Sequence, residues 1–209
     1  MEKKFNSTLC LTLDDISNKS IYIIWSNEER IKIFNSVLKS YPLTRLAKKL
    51  EHDQGVTSDI KNGKVKPSGK IYLHLLRILW WRRELLNLAI SSRNHQQISL
   101  RSSYVSPELI GLIHSDGLLR LYPNGSVHFC FTNQEKALIN RFVDLIHETF
   151  KCQVNIRIDK RDGTMSAYPP SIVGRLIASR VGWKFKGYEN PDLLPEEIPH
   201  YIRGLFDGD

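Results

Sequence analysis

Two stretches of this chain end an apolar run in the same awkward way. "LIGLIHSDGLL", Leu109 to Leu119, brings Ser115, Asp116 and Gly117 together, and "IRGLFDGD" closes on Gly208 and Asp209. In each, a glycine precedes the acid by five residues: Gly111 before Asp116, Gly204 before Asp209. The apolar spacing is helical, so each Asp falls at a helix C-terminus and faces the negative end of the helix dipole. An acid is unfavourable there unless a positive charge accompanies it. Small residues four positions apart, Gly111 with Ser115 and Gly204 with Gly208, let two helix backbones come close. Helices packed through those faces would bring Asp116 and Asp209 together, where two carboxylates repel. A divalent cation would neutralise that repulsion and gain oxygen ligands. Gly117 would supply a left-handed residue to end the first helix.

The residues between the two endings alternate in type. A helix is expected over about 106–116. "LLRLYPNGSVHFCF" reads as a hairpin turning at Pro123-Asn124-Gly125-Ser126, and "NQEKALINRFVDLIHETFK" has helical spacing. "CQVNIRIDKRDGTMSAY" is a second hairpin turning near Asp162-Gly163. "PPSIVGRLIASRVGW" opens a helix with proline near its first turn. After the loop "KGYENPDLLPEE" comes the last helix. The order is αββαββα, then one further helix. Within the hairpins, Val127, Phe129 and Phe131 alternate with Ser126, His128, Cys130 and Thr132. Val154, Ile156 and Ile158 alternate with Gln153, Asn155, Arg157 and Asp159. The apolar set should pack on helices. The polar set carries side chains able to read base edges, and a two-stranded ribbon fits a major groove.

Charge separates the N-terminal half from the rest. The net charge is +8. Residues 1–100 hold 17 Lys+Arg against 9 Asp+Glu, and residues 101–209 hold 13 of each. The excess lies chiefly between Lys39 and Arg83, and a concentrated positive field attracts a polyanion. "FNSTLCLTL" and "IYIIW" suggest two short strands. "SNEERIKIFNSVLKSY" opens a helix with a serine cap and early acids. "LTRLAKKL" and "VTSDIKNGK" are two short helices, and "KIYLHLLRILWWRRELLNLA" reads as one long amphipathic helix. There Trp80, Trp81, Arg82 and Arg83 fit a core with a snorkelling basic edge. "SSRNHQQISLRSS" reads as a polar linker.

In the two short helices, Leu43, Leu46, Ala47 and Leu50 form an apolar stripe that Val56 and Ile60 would complete. Thr57, Ser58, Asp59, Lys61, Asn62 and Lys64 are then left exposed, a set that can enter a major groove. "LAKKL", "TSDIKNGK" and "KVKPS" resemble the helix-turn-helix of phage-repressor-like DNA-binding domains. Ala47 to Ile60 is three residues longer than the tight form, so "EHDQG" should bulge. The resemblance implies that Thr57, Ser58, Lys61, Asn62 and Lys64 contact DNA.

The chain has no apolar run of about 18 residues that would suggest a membrane span, and its start lacks the apolar core of a secretory signal. Cys10, Cys130 and Cys152 are odd in number and show no CxxC spacing, as in a reduced, cytoplasmic protein without structural zinc.

The repeated endings themselves resemble the signature of the LAGLIDADG homing endonucleases. "LIGLIHSDG" matches it through Gly111, Leu112, Ile113, Asp116 and Gly117, and "IRGLFDGD" through Gly204, Leu205, Phe206 and Asp209. The αββαββα order fits the family fold, and the resemblance covers about residues 104–209. It implies an α+β protein that binds double-stranded DNA and hydrolyses its phosphodiester bonds with Mg²⁺. Asp116 and Asp209 would hold the metal, and Lys160, or Arg161 next to it, would be the basic residue beside it. Arg120, His128, Gln153, Asn155 and Arg157 would face the duplex. Gly111, Leu112, Ser115, Gly204, Leu205 and Gly208 would form the helix interface. His114 and Asp207 occupy a position the family varies and receive no catalytic role.

The expected organisation is short strands over 1–27, a helix-turn-helix domain over 28–92, a linker over 93–103, a first repeat over 104–188, and over 189–209 the loop and opening helix of a second repeat. That second helix then has no sheet behind it. The chain would act as a monomer if the second repeat exists, or pair with another copy through these helices. The alternative function is a transcriptional regulator that keeps the fold without cleavage.

Overall fold

A computed structural model describes residues 11, 13–16, 21–79, 89–92, 97–102, 104–183, 187–188 and 191–208. The chain divides into two compact units, one over Leu13–Gln97 and one built mainly on Ile98–Asp209.

The first unit has a 3-10 turn at Leu13–Ile16, strand β1 (Ile21–Ile24) and helices α1 (Asn27–Leu38), α2 (Leu43–Lys49), α3 (Gln54–Lys61) and α4 (Gly69–Ile78). Strand β2 (Ala89–Ser92) pairs antiparallel with β1, Ile23 opposite Ile90. Ser26 caps α1, its hydroxyl accepting the Glu29 N–H at 3.0 Å, with Glu28 and Glu29 in the first turn where the dipole favours acids. Ile33, Phe34, Val37, Leu46, Ile60, Tyr72 and Leu75 are buried. The Tyr72 hydroxyl stays paired by donating to Glu29 at 2.8 Å.

Two expectations change in this region. The fourth helix ends at Ile78, and Ala89–Ser92 is strand rather than its continuation; the Trp80–Arg83 group lies outside the described residues, as does most of the first expected strand. The stretch expected as linker contains strand β3 (Gln97–Leu100). Its Ile98 and Leu100 are buried, because Gln-Ile-Ser-Leu alternates with period two inside a stretch that reads as polar by count alone.

The second unit carries α5 (Pro107–Ser115), β4 (Gly117–Leu121), β5 (Val127–Asn133), α6 (Lys136–Thr149), β6 (Phe150–Lys151), β7 (Asn155–Ile158), β8 (Met165–Tyr168), α7 (Ser171–Val181), β9 (Gly182–Trp183), β10 (Gly187–Tyr188) and α8 (Ile198–Gly208). The short β6 pairs with β3, Leu100 opposite Phe150. The main sheet is antiparallel with order β4-β5-β8-β7. The protein is therefore α+β. The first hairpin turns where the Pro-Asn-Gly-Ser stretch places it: Asn124 Oδ1 accepts the Ser126 N–H at 2.9 Å, and Gly125 takes the positive φ of 78° that the turn needs.

Register sorts the sheet into two faces. Leu119 opposes Phe129, Gly117 opposes Phe131, and Phe131 opposes Ala167. These residues are buried under α6 and α7. Phe131 stacks on Phe142 with centroids 4.8 Å apart, and Phe129 meets the same ring edge-on at 5.8 Å. Each such fully buried side chain contributes about 1.5–3 kcal/mol. The edge strand departs from expectation. Ile156 and Ile158 share the apolar face but are 47% and 63% exposed, because β7 is an edge strand and α6 and α7 pack chiefly on β5 and β8.

Candidate nucleic-acid interface and carboxylate site

Helices α5 and α8 lie backbone against backbone. A Cβ on Gly111 would collide with the Tyr201 carbonyl and stand 2.8 Å from Leu205 N. One on Gly204 would strike the Glu108 carbonyl and stand 2.9 Å from Leu112 N. One on Gly208 would run into the Ser115 side chain and lie 3.6 Å from Asp116 N. Glycine at three positions thus lets the helices meet along their length (Leu112 and Leu205 lie along the same seam). The opposite face of α8 is open, with Ile198, Ile202 and Phe206 exposed, Phe206 at 76%.

Asp116 is the C-terminal cap of α5, with φ −99° and ψ 0°. Gly117 follows with an ordinary negative φ, so it is not the left-handed residue expected. Its glycine has a different cause: a Cβ would stand 2.5 Å from the Ile113 backbone. Asp116 does not face the helix end alone. Asn133, at the end of β5, donates from Nδ2 to Asp116 Oδ2 at 2.8 Å. The Asn133 carbonyl oxygen in turn accepts the Glu135 N–H at 2.7 Å, which sets the amide's orientation. The sequence reading missed Asn133. Its one signal was position: a polar residue directly after an alternating strand, next to a helix start.

Polar groups line the rest of the helix pair. His114 Nδ1 lies 2.9 Å from the Tyr201 hydroxyl. Burial pulls the His114 pKa down from 6.5 to about 4, so the imidazole is neutral near pH 7. Glu108 is buried at 5% exposure, and Arg141 of α6 grips both its oxygens at 2.8 and 2.5 Å. The guanidinium hydrogen bonds hold the Glu108 carboxyl below the usual carboxylate range. Asp207 pairs with Arg203 one turn back on α8, at 3.4 Å. Lys160 stands exposed in the turn between β7 and β8, at the sheet end where Asn133 opposes Met165 and Met165 opposes Ile158. Asp209 lies outside the described residues.

The second sheet face is polar. Arg120 opposes His128, Arg157 opposes Ser166, and Asn155 opposes Tyr168. Arg120, Asn155 and Arg157 are exposed, and His128 and Tyr168 are half-buried. The structure therefore brings four of the five expected sheet contacts onto one face. Gln153 is exposed but precedes the first residue of β7, in the connecting segment.

In the first unit, α2 and α3 are joined by Leu50–Asp53. Glu51 takes the positive φ of 57° at the corner, and Gln54 and Gly55 already belong to α3, so the expected bulge is absent. Lys61 is half-buried, and Asn62 and Lys64 are exposed. Asn62 Nδ2 reaches Ser58 Oγ at 3.4 Å, and Lys64 pairs with Asp59 at 3.7 Å. Thr57 is a correction. It is 1% exposed, and its hydroxyl donates to the Asp53 carbonyl at 3.1 Å. Thr57 and Ile60, three apart, form the inward stripe, while Val56 turns outward at 37% exposure.

No family model matches the chain, and no curated protein matches it. Two solved structures of I-DmoI overlap it in part. One is I-DmoI in complex with its target DNA nicked in the coding strand, in the presence of manganese: 16% identity, TM-score 0.32, 50% of this chain and 60% of that one. The other, a second variant with target DNA and manganese, gives 20% identity, TM-score 0.31, 50% of this chain and 59% of that one. The matches span about three fifths of I-DmoI.

Proposed function

We propose that this chain binds double-stranded DNA at a specific site and, with Mg²⁺, hydrolyses its phosphodiester bonds in the manner of a LAGLIDADG homing endonuclease. One observation carries the reading: the glycine-lined contact between α5 and α8, which sets Gly208 against Ser115, next to Asp116. Asp209 is the next residue in the sequence, and in this reading it is the second acid of the site. Asp116 Oδ2 is held by Asn133, and Oδ1 takes no hydrogen bond from a described residue. One oxygen of Asp116, together with the carboxylate of Asp209, suits a hard cation that prefers oxygen ligands. Such an ion, when bound, would supply Lewis-acid chemistry, activating water and stabilising the leaving oxygen.

The chain's own residues supply the rest. Arg120, His128, Asn155 and Arg157 hold the duplex on the sheet face, and Asn133 keeps the Asp116 carboxylate turned to the scissile phosphate. Ser58, Lys61, Asn62 and Lys64 of α3 anchor the flanking duplex as a helix-turn-helix would, adding affinity through phosphate contacts. The neutral His114 and the Arg203-paired Asp207 take no part.

The test is incubation with a randomised duplex library and Mg²⁺, comparing the natural chain with Asp116→Asn. The expected outcome is cutting at a defined site, lost by at least about a hundredfold in the variant and on chelation. A selected site protected but uncut in both proteins would instead identify a regulator; no selected site in either would end the DNA reading.

A further inference from the structure

The polar sheet face carries a ladder of stacked side chains that base-edge chemistry alone does not require. It starts at Arg120, whose guanidinium lies over the Tyr122 ring at 4.7 Å. Tyr122 stacks on His128, centroids 6.5 Å apart and planes 15° from parallel. His128 stacks on Tyr168 at 6.0 Å and 10°. The last rung is Arg157, over the Tyr168 ring at 5.2 Å. Arg120, His128, Tyr168 and Arg157 come one from each of the four strands, with an arginine on each outer strand, and Tyr122 directly follows β4.

A guanidinium laid on an aromatic face is held by cation–π attraction and by planar stacking. Its donors then project from the ring edge in a fixed plane. A free arginine loses several rotatable bonds when it binds, whereas one already laid on a ring loses fewer. Guanine offers O6 and N7 to such a planar fork. Strands about 4.8 Å apart put the two outer strands roughly 15 Å from each other. Arg120 is level with His128 and Arg157 with Thr132, four residues further along β5, which adds roughly 13 Å along the strands. The two arginine Cα atoms are then roughly 20 Å apart, about six base-pair steps at about 3.4 Å each.

We infer that Tyr122 and Tyr168 are positioning residues: with His128 as the spacer between them, they preset Arg120 and Arg157 to read two guanines about six steps apart in the target. The inference rests on the reading that this face carries duplex DNA, and it names the specificity-determining pair within it.

Site selection from a randomised duplex library, with the full chain and without Mg²⁺, tests it. The natural chain is expected to enrich two guanines at that separation, each preferred by about tenfold or more. Tyr168→Leu should flatten the preference at one of them to about two- or threefold, leave the other intact, and leave the salt dependence of non-specific binding unchanged. Tyr168→Phe, which keeps the ring, should restore it, and Tyr122→Leu should flatten the other guanine alone. A Tyr168→Leu consensus identical to the natural one overturns the inference, as does loss of the whole consensus together with a lowered melting temperature, which would make the ring a packing element only. A natural consensus lacking the guanine pair also overturns it while the DNA reading stands. No consensus from the natural chain overturns both.

Discussion

Asp116 is ill placed by its own helix and well placed by another element. At the C-terminus of α5 its charge opposes the dipole, yet the Asn133 amide donates to it from the end of β5. The amide cannot turn away without breaking its second bond, to the Glu135 N–H. A ligand carboxylate fixed in this way presents one set oxygen, and removing such a partner lowers activity or metal affinity by about 10–100-fold. On the proposed metal-ligand role of Asp116, Asn133→Ala should slow cleavage by about that factor while leaving DNA affinity within about twofold. Single-turnover rates alongside a binding isotherm check it; a parallel loss of both would make Asn133 part of the DNA surface instead.

Helix α8 owes its position to what its sequence lacks. A methyl group on Gly204 would meet backbone atoms of α5, which no rotamer change relieves. Alanine ordinarily stabilises a helix interior by up to about 1 kcal/mol over glycine. Here the clash reverses the sign, and Gly204→Ala should cost about 2 kcal/mol or more. Gly55 in α3 is the contrast: a Cβ there meets nothing within 4 Å, so Gly55→Ala should stabilise the first unit by about 0.5 kcal/mol. Urea unfolding of both variants reads the opposite signs. Helix α3 also shows where periodicity is ambiguous. Val56 and Thr57 are neighbours, and hydropathy favours Val56 for the core. The helix instead turns Thr57 inward, where its hydroxyl is satisfied by the Asp53 carbonyl.

At the scale of the molecule, stability of the second unit is tied to acid through Glu108. The Arg141 hydrogen bonds lower its pKa below the ordinary 4.5. The folded state therefore binds this proton more weakly than the unfolded chain does. The pair's contribution is full above about pH 4.5 and is lost as pH falls through the lower, folded value. Arg141→Met should cost about 3 kcal/mol near neutral pH, since among the described residues it leaves the buried carboxylate facing Arg203, 4.0 Å away and largely exposed, and the more weakly acting His200. Glu108→Gln should be less steeply acid-sensitive below pH 4.5 than the natural chain. Urea midpoints measured from pH 3 to 7 would show both; parallel pH curves for Glu108→Gln and the natural chain would refute the linkage.

Much of this architecture was legible beforehand because it rests on local periodicity and side-chain size. The alternation of Phe129 and Phe131 with His128 and Thr132 sets which sheet face is dry, and a Pro-Asn-Gly-Ser stretch can do little but turn. Glycines and a serine four apart specify a close helix contact. Other features depend on what a residue meets after the chain closes on itself: strand β3 in a polar stretch, the inward Thr57, the exposed Ile158, the amide of Asn133 on Asp116. Residues 17 positions apart, such as Asn133 and Asp116, share no periodic signal, and only the packed backbone chooses between them and other polar pairs. By itself, then, the sequence determined the succession of the main helices and hairpins after Ser106 and the seam along which two helices could touch; the tertiary structure alone decided which groups hold the helix-end acid and how the arginines lie on their rings, because those contacts are made between strands and helices distant in the chain.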